Sequence, residues 1–329
     1  AYLNYSPYFL LSSDLFFGFT GGFTSIIGLF FAYSVRVTPT TFRPTRMALM
    51  EGSMGLGGMC GYFLSGQLRQ LIGYAWFFLI LSILHLILFI QLIFTKELIN
   101  RTTEGEEDEN SSNLLILLKK RFLDILQIFT TERDLNSKKC LNLILIVLLV
   151  EFICFSGSMD ILFSFLRFQL KWTDIEYGWF NGIDTGSASL CVRGTLELFG
   201  DTVWVFLTDR HFGICRNEKL QGKIGSVTIL AFTTSTLIAF FSIFLSIFGR
   251  FVPTGLRAMA SSCVSVSEQG KIFALMSLLM SFAYLIASPL FNGIYPFTLS
   301  FFPGTMLLAV AALLILPVGI LIYLDIKKI

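Results

Sequence analysis

The hydrophobic positions of this chain fall in long unbroken runs rather than in stripes. Runs at about 11–35, 45–66, 74–95 and 141–166 each hold the roughly 20 apolar residues that carry a helix across about 30 Å of hydrocarbon. Two more, at about 272–291 and 303–324, close the chain. A weaker run at about 178–207 carries Asp184, Arg193, Glu197 and Asp201. Residues 224–256 are too long for one crossing and leave only about 17 residues for each of two. Thr233–Thr236 is the expected turn between those two. The pattern predicts nine spans in an all-α, polytopic membrane protein. The alternating ten-residue strands of a transmembrane barrel are absent.

The polar residues between the runs set the orientation. Cytoplasmic loops carry an excess of Lys and Arg. Apart from Arg69, Arg167, Lys171 and Arg193, every basic residue falls in 36–46, 96–139, 209–223 or 250–271, or is Lys327 or Lys328 at the end. These segments are assigned to the inside, which requires 224–256 to cross twice, because both its flanks are basic. The one long hydrophilic stretch, 96–139, opens on an acidic cluster at Glu104–Glu109 and continues as LLILLKKRFLDILQIF over 114–129. Lys119, Lys120 and Arg121 beside leucines predict an amphipathic helix on the inner leaflet. Three spans precede this loop and six follow it. The expected division is therefore 1–95 as the remainder of an N-terminal bundle, 96–139 as a cytoplasmic central loop, and 140–329 as a six-helix bundle. A twelve-span design of repeated three-helix units places three further spans upstream, and the chain starts at Ala1 rather than Met, so an N-terminal truncation is expected.

Composition agrees. The chain is 54% hydrophobic and 14% charged, with a mean hydropathy of +0.74, where soluble domains are about 25% charged. The net charge of +2 says nothing of nucleic acid, because the basic residues are spread over many loops, and no nucleic-acid partner is expected. No P-loop, dinucleotide fingerprint, HExxH or paired CxxC is present, so no enzyme motif, cofactor or metal site is expected. The six cysteines (Cys60, Cys140, Cys154, Cys191, Cys215 and Cys263) are expected as reduced thiols without a disulfide framework. Asn4-Tyr5-Ser6 is a glycosylation sequon on the side assigned to the outside.

Candidate chemistry lies in the charges that enter the spans. In FRPTRMALMEGSMGLGGMCG (42–61), Glu51 stands about two turns into an apolar run, where a carboxylate is costly and marks a functional candidate. An ion pair with a nearby arginine at the inner interface is the structural alternative. Glu151 and Asp160 enter the fourth span on either side of Gly157. Desolvation raises a carboxyl pKa toward neutrality, so Glu51, Glu151 and Asp160 are the proton-coupling candidates. A cation facing a cavity would attract an anionic substrate. Arg257 is the first candidate, against its reading as an inner-loop charge, and Arg193 is the second, against an i, i+4 pair with Glu197. Asp184 is a further gate candidate. Asp14 reads as interfacial, His85 as a neutral ring bonded to a neighbouring helix, and Gly57 with Gly61 as a helix-packing GxxxG.

Four blocks carry a resemblance: TFRPTRMALMEGSMGLGG (41–58), GSMDILFSFLRFQLKWTDIEYGWFNGID (157–184), VPTGLRAMASSCVSVSEQGKIFAL (252–275) and SPLFNGIYPFTLSFFPG (288–304). With them the chain resembles the major facilitator superfamily and, more narrowly, the family of the proton-coupled folate transporter. Asp209, Arg210, Gly213 and Arg216 resemble the superfamily's D-R-x-G-R signature at the cytoplasmic gate, with one inserted residue and Val205 in place of the leading Gly. The resemblance implies twelve helices in two six-helix halves, about nine of them in this chain, working by alternating access. It also implies proton symport of an organic anion in a plasma or endolysosomal membrane. By motif, the family's fifth-helix glutamate corresponds to Glu51 and its tenth-helix arginine to Arg257. The implied partners are a small-molecule substrate, protons and the lipid bilayer. A non-transporting receptor or scaffold homologue, or a truncated product, is the second reading.

Overall fold

The structure is a computed structural model that describes residues 8–39, 42–94, 114–129, 131, 133–187, 212–247, 252–265 and 268–327. Among these residues every regular element is helical. In chain order they are α1 (Tyr8–Phe19), α2 (Gly22–Val37), α3 (Arg43–Phe94), α4 (Leu114–Leu126), α5 (Leu135–Leu170) and α6 (174–187). There follow α7 (Phe212–Ala231), α8 (Thr236–Ser246), α9 (Val252–Ser262), α10 (Gln269–Thr298), α11 (Thr305–Leu313) and α12 (Ile315–Lys327).

The long helices α5 and α10 pack along each other at the centre. Gly157 permits this, because a Cβ there would collide with the Phe291 ring of α10. Helices α9, α11 and α12 lie on α5, α7 joins α8, α11 and α12, and α2 packs on α10. The α2 contact is polar and close: Thr24 and Ser281 hydroxyls share a 2.6 Å hydrogen bond, and Gly28 faces Ser277. Small and hydroxylated residues are what membrane helices use to approach closely.

Among the described residues five helical stretches are long and apolar enough to cross a bilayer: Leu15–Ser34, Leu49–Phe94, Leu135–Leu170, Gln269–Thr298 and Thr305–Lys327. The first contains a break, because Gly21 and Gly22 adopt left-handed φ of 94° and 59° between α1 and α2. The second merges the two expected spans at 45–66 and 74–95. Its 46 residues would measure about 69 Å as a straight helix, more than twice the hydrocarbon thickness. The path breaks at Gly73 (φ 75°, ψ 173°), in the interval between those two runs. The last stretch breaks at Leu314, where the ring of Pro317 denies the Leu313 carbonyl its helical partner. Leu71, Phe94, Leu237, Phe244 and Phe297 point outward from the bundle, an apolar surface suited to lipid.

Helices extend into three segments expected as loop or loop boundary. The inner loop expected at 209–223 is helical from Phe212, the one at 250–271 contains α9, and α5 begins at Leu135, ahead of residue 140. In each case charged residues occupy helical turns that hydropathy alone reads as loop. The turn at 232–235 between α7 and α8 matches the one expected at Thr233–Thr236. The amphipathic segment at 114–129 forms α4 and a 3-10 turn, Gln127–Phe129.

The WTDIEYG block is a helix-to-helix junction. Lys171 closes α5 in the left-handed conformation (φ 59°). Thr173 then opens α6 as a capping box: its N–H bonds Glu176 Oε2 at 2.8 Å, and its hydroxyl accepts from the Ile175 N–H at 3.3 Å. The Thr173 hydroxyl donates to the same carboxylate, first among the bonds that hold the Glu176 pKa below its ordinary value of 4.5. Along α6, Gly178, Gly182 and Gly186 lie against Tyr62, Phe63 and Met59 of α3, where added Cβ atoms would collide. The Gly57–Gly61 pair, by contrast, has nothing within 4 Å among the described residues. The packing face of α3 is the one carrying Gly58 and Gly66, which approach Thr185 and Asp174.

Candidate functional site

Between these helices lies a cavity of about 330 Å³. Its walls are mainly apolar, from Phe23, Ile27, Phe155, Met159, Leu162 and Phe180. Five charged side chains enter it from five helices: Glu51 (α3), Glu151 (α5), Asp184 (α6), Lys223 (α7) and Arg257 (α9). Low-dielectric walls strengthen whatever these charges do.

Arg257 and Glu51 form an ion pair at 2.6 Å across 206 residues of sequence. The arginine is 9% exposed and the carboxylate 27%. The guanidinium also stands 4.9 Å from the centre of the Phe31 ring and 5.7 Å from that of Phe152. A planar cation held between rings and a carboxylate is oriented as well as neutralised. Arg257 thus binds α9 to α2, α3 and α5 at once. Among the described side chains the ion-pair partner of Glu51 is the distant Arg257 and not Arg46, five positions away in sequence.

Glu151 pairs with Lys223. Its side chain is 1% exposed, that of Lys223 18%. The Glu151 Oε2 atom is buried without a hydrogen-bond partner among the described residues. By its sequence context Lys223 reads as an inner-loop charge. The usable signal was its position directly before the apolar run IGSVTILAF, which makes it the last charge before a span. Asp184 accepts a 2.8 Å hydrogen bond from the Ser246 hydroxyl of α8.

The remaining candidates lie elsewhere. Asp160 is exposed outside the cavity, where Asn292 Nδ2 of α10 donates to it at 3.3 Å. His85 bonds its own helix, the Leu81 carbonyl at 2.8 Å, rather than a neighbouring one. Arg193, Asp209 and Arg210 fall outside the described residues, while Gly213 and Arg216 are in the first turns of α7. The side chain of Asp14 is likewise outside the description. Among the described residues Cys60, Cys140, Cys154 and Cys263 form no disulfide, and Cys191 falls outside them. Among the described residues no group of three or more His, Cys, Asp or Glu is placed to hold a metal ion.

Two further ion pairs among the described residues lie outside the cavity lining. On the side assigned to the outside, Arg69 of α3 pairs with Asp174 of α6. On the opposite side, Arg133 bonds Glu268 at 2.7 Å and the Ile128 carbonyl at 2.9 Å, joining the end of the central loop to the start of α10. Burial opposes ionisation of Glu268, but bonds from the Ser265 hydroxyl and N–H, together with Arg133, hold its pKa below 4.5. A lowered carboxyl pKa stabilises the fold fully above its unfolded value and loses that contribution only as pH falls through the folded value. The latch is therefore intact at every pH above about 4.5. Glu268→Gln is expected to cost on the order of 1 kcal/mol in thermal unfolding and to leave the shape of any pH profile above that value unchanged.

The Major Facilitator Superfamily model matches residues 3–205 of the chain. The proton-coupled folate transporter of Bos taurus is 28% identical over 306 residues, covering 90% of this chain and 61% of its own length. The lysosomal proton-coupled steroid conjugate and bile acid symporter SLC46A3 of Gallus gallus is 26% identical over 331 residues, covering 98% of this chain and 68% of its own. The human form of the latter is 27% identical over 324 residues, covering 94% of this chain and 66% of its own. The chain thus spans about three-fifths to two-thirds of the length of the curated relatives it matches. Their names describe transporters rather than enzymes. The family model covers more than half of the residues, and the structure is an all-helical membrane bundle around a charged cavity, so the chain belongs to the Major Facilitator Superfamily as a multi-pass membrane protein.

Proposed function

We propose that this protein is a proton-coupled transporter that moves an organic anion across a plasma or endolysosomal membrane by alternating access. The observation that carries the reading is the Arg257–Glu51 pair on the wall of an apolar cavity. Arg257 supplies a fixed cation for an anionic group. Glu51 competes with that anion for the same guanidinium. A proton on Glu51 removes the competitor, so proton and anion bind with positive coupling. Residues 1–95 and 140–329 act as two bundles that rock about the cavity, joined by 96–139. The contacts Arg69–Asp174 and Arg257–Glu51 both link α3, in the first bundle, to helices of the second. The relatives named for folate and for steroid conjugates and bile acids support an organic anion as cargo.

The test is uptake of labelled folate and of a steroid sulfate by cells expressing the full-length protein, at acidic and neutral outside pH. Glu51→Gln is expected to flatten the pH dependence, lowering acid-driven uptake by roughly 10- to 100-fold relative to wild type. An unchanged pH profile in this variant would remove Glu51 from coupling. Surface-expressed wild type that moves no organic anion at either pH would favour the non-transporting alternative.

A further inference from the structure

Glu151 differs from the other carboxylates of the cavity. It lies in the middle of α5 with 1% exposure and, among the described residues, a single counter-ion, Lys223, on Oε1. Its second oxygen, Oε2, is buried with no hydrogen-bond partner among the described residues. A buried carboxylate in this state is only partly compensated, and removing its one cation leaves an isolated charge in an apolar wall. Lys223, at 18% exposure, reaches the cavity directly. Its flexible stem and three donors let it turn from the carboxylate to a ligand.

The other charged or titratable groups around Glu151 are few. Cys154 is one turn along α5. Across the cavity stand Glu51 on α3, Asp184 on α6, Arg257 on α9 and Tyr284 on α10. Arg257 is already held by Glu51 and two rings. From α8 and α11 the cavity receives only serine and apolar side chains. No described cation other than Lys223 bonds Glu151, so whatever takes Lys223 leaves the buried carboxylate without its described counter-ion.

On the transport reading above, we propose that Lys223 is a second anion-binding residue of the cavity, and that an anion seated on it drives uptake of one proton by Glu151. The ligand is an organic anion whose carboxylate or sulfate replaces Glu151 on the ammonium group while its apolar body lies against Phe155, Met159 and Leu162. The proton comes from the aqueous side to which the cavity is open and adds to a carboxylate oxygen of Glu151. It leaves when the anion departs and Lys223 returns. Proton and anion thus enter and leave together at this pair, independently of Glu51.

The experiment is thermal unfolding of the purified full-length protein in detergent, titrated with folate and with a steroid sulfate at acidic and neutral pH. Wild type is expected to bind at least one probe about tenfold more tightly at acidic pH. Glu151→Gln frees Lys223 at every pH, so its affinities at the two pH values converge toward the acidic one. Lys223→Gln weakens binding at acidic pH about tenfold, the loss of one charge-assisted contact. Should Lys223→Gln not fold, the double variant Glu151→Gln/Lys223→Gln, which buries no charge, is expected to bind weakly with the pH difference reduced. A Glu151→Gln variant that keeps the wild-type pH difference while Glu51→Gln abolishes it would overturn this inference and leave the transport reading standing. Wild type that binds neither probe at either pH and takes up no anion in cells would overturn both.

Discussion

Arg257→Ala is expected to abolish acid-driven anion uptake and to destabilise the protein by about 3 kcal/mol, the lower end of what removing one partner of a buried ion pair costs. The lower end applies because Glu51 keeps 27% exposure and water reaches it once the arginine is gone. Two losses add to the broken pair. The guanidinium leaves the faces of Phe31 and Phe152, and the link from α9 to α2, α3 and α5 opens. Arg257→Lys keeps the charge but not the fork or the stacking, so it is expected to recover part of the stability and little of the uptake. The double variant Arg257→Ala/Glu51→Gln removes the orphaned carboxylate, and its unfolding temperature should return most of the way to wild type while uptake stays lost. Uptake that survived in Arg257→Ala would show that the anion is held by another cation.

Trp172→Ala is expected to cost about 3–5 kcal/mol in unfolding of the detergent-solubilised protein. Trp172 is 5% exposed and follows the left-handed Lys171 that turns the chain from α5 into α6. Its ring centre lies 5.6 Å from those of Phe180 on α6 and Phe240 on α8, which are themselves 5.8 Å apart. Its indole N–H donates to the Thr236 hydroxyl at 3.1 Å. Nearby, the Gln169 amide donates to the Thr233 carbonyl at 3.2 Å, so the end of α5 holds the α7–α8 turn. Removing the ring opens a cavity where three helices meet. Trp172→Phe should keep most of the packing and lose only the hydrogen bond, about 1 kcal/mol. Equal losses in the two variants would count against the three-ring cluster.

Much of the fold was legible along the chain because a bilayer imposes a simple rule. Each spanning segment satisfies its own backbone hydrogen bonds, so it needs only length and apolarity, and both are readable. The capping box at Thr173–Glu176 is equally local and visible as T-x-x-E. The failures share a physical cause. Lys223 reads as a loop charge, and Arg257 carries that reading beside its cavity one, because hydropathy counts what a residue is, not what it faces. Asp160 and Glu151 lie nine positions apart on one helix, and composition treats them alike. One is exposed against Asn292, the other buried against Lys223. The GxxxG at Gly57 and Gly61 is an evident motif that meets nothing within 4 Å among the described residues, whereas the spaced glycines of α6 pack against α3.

By itself the sequence determined an all-helical membrane protein, the principal apolar runs, the amphipathic segment of the central loop and the two residues, Glu51 and Arg257, most worth watching. Only the tertiary structure decided that these two are partners across 206 residues, that Lys223 and Glu151 form a second pair beside them, and that Asp160 stands outside the cavity. The reason is that spanning a bilayer is a property of one segment, set by transfer from water to lipid. A charge in that setting acquires its meaning from the counter-ion opposite, which is supplied by a helix far away in the chain.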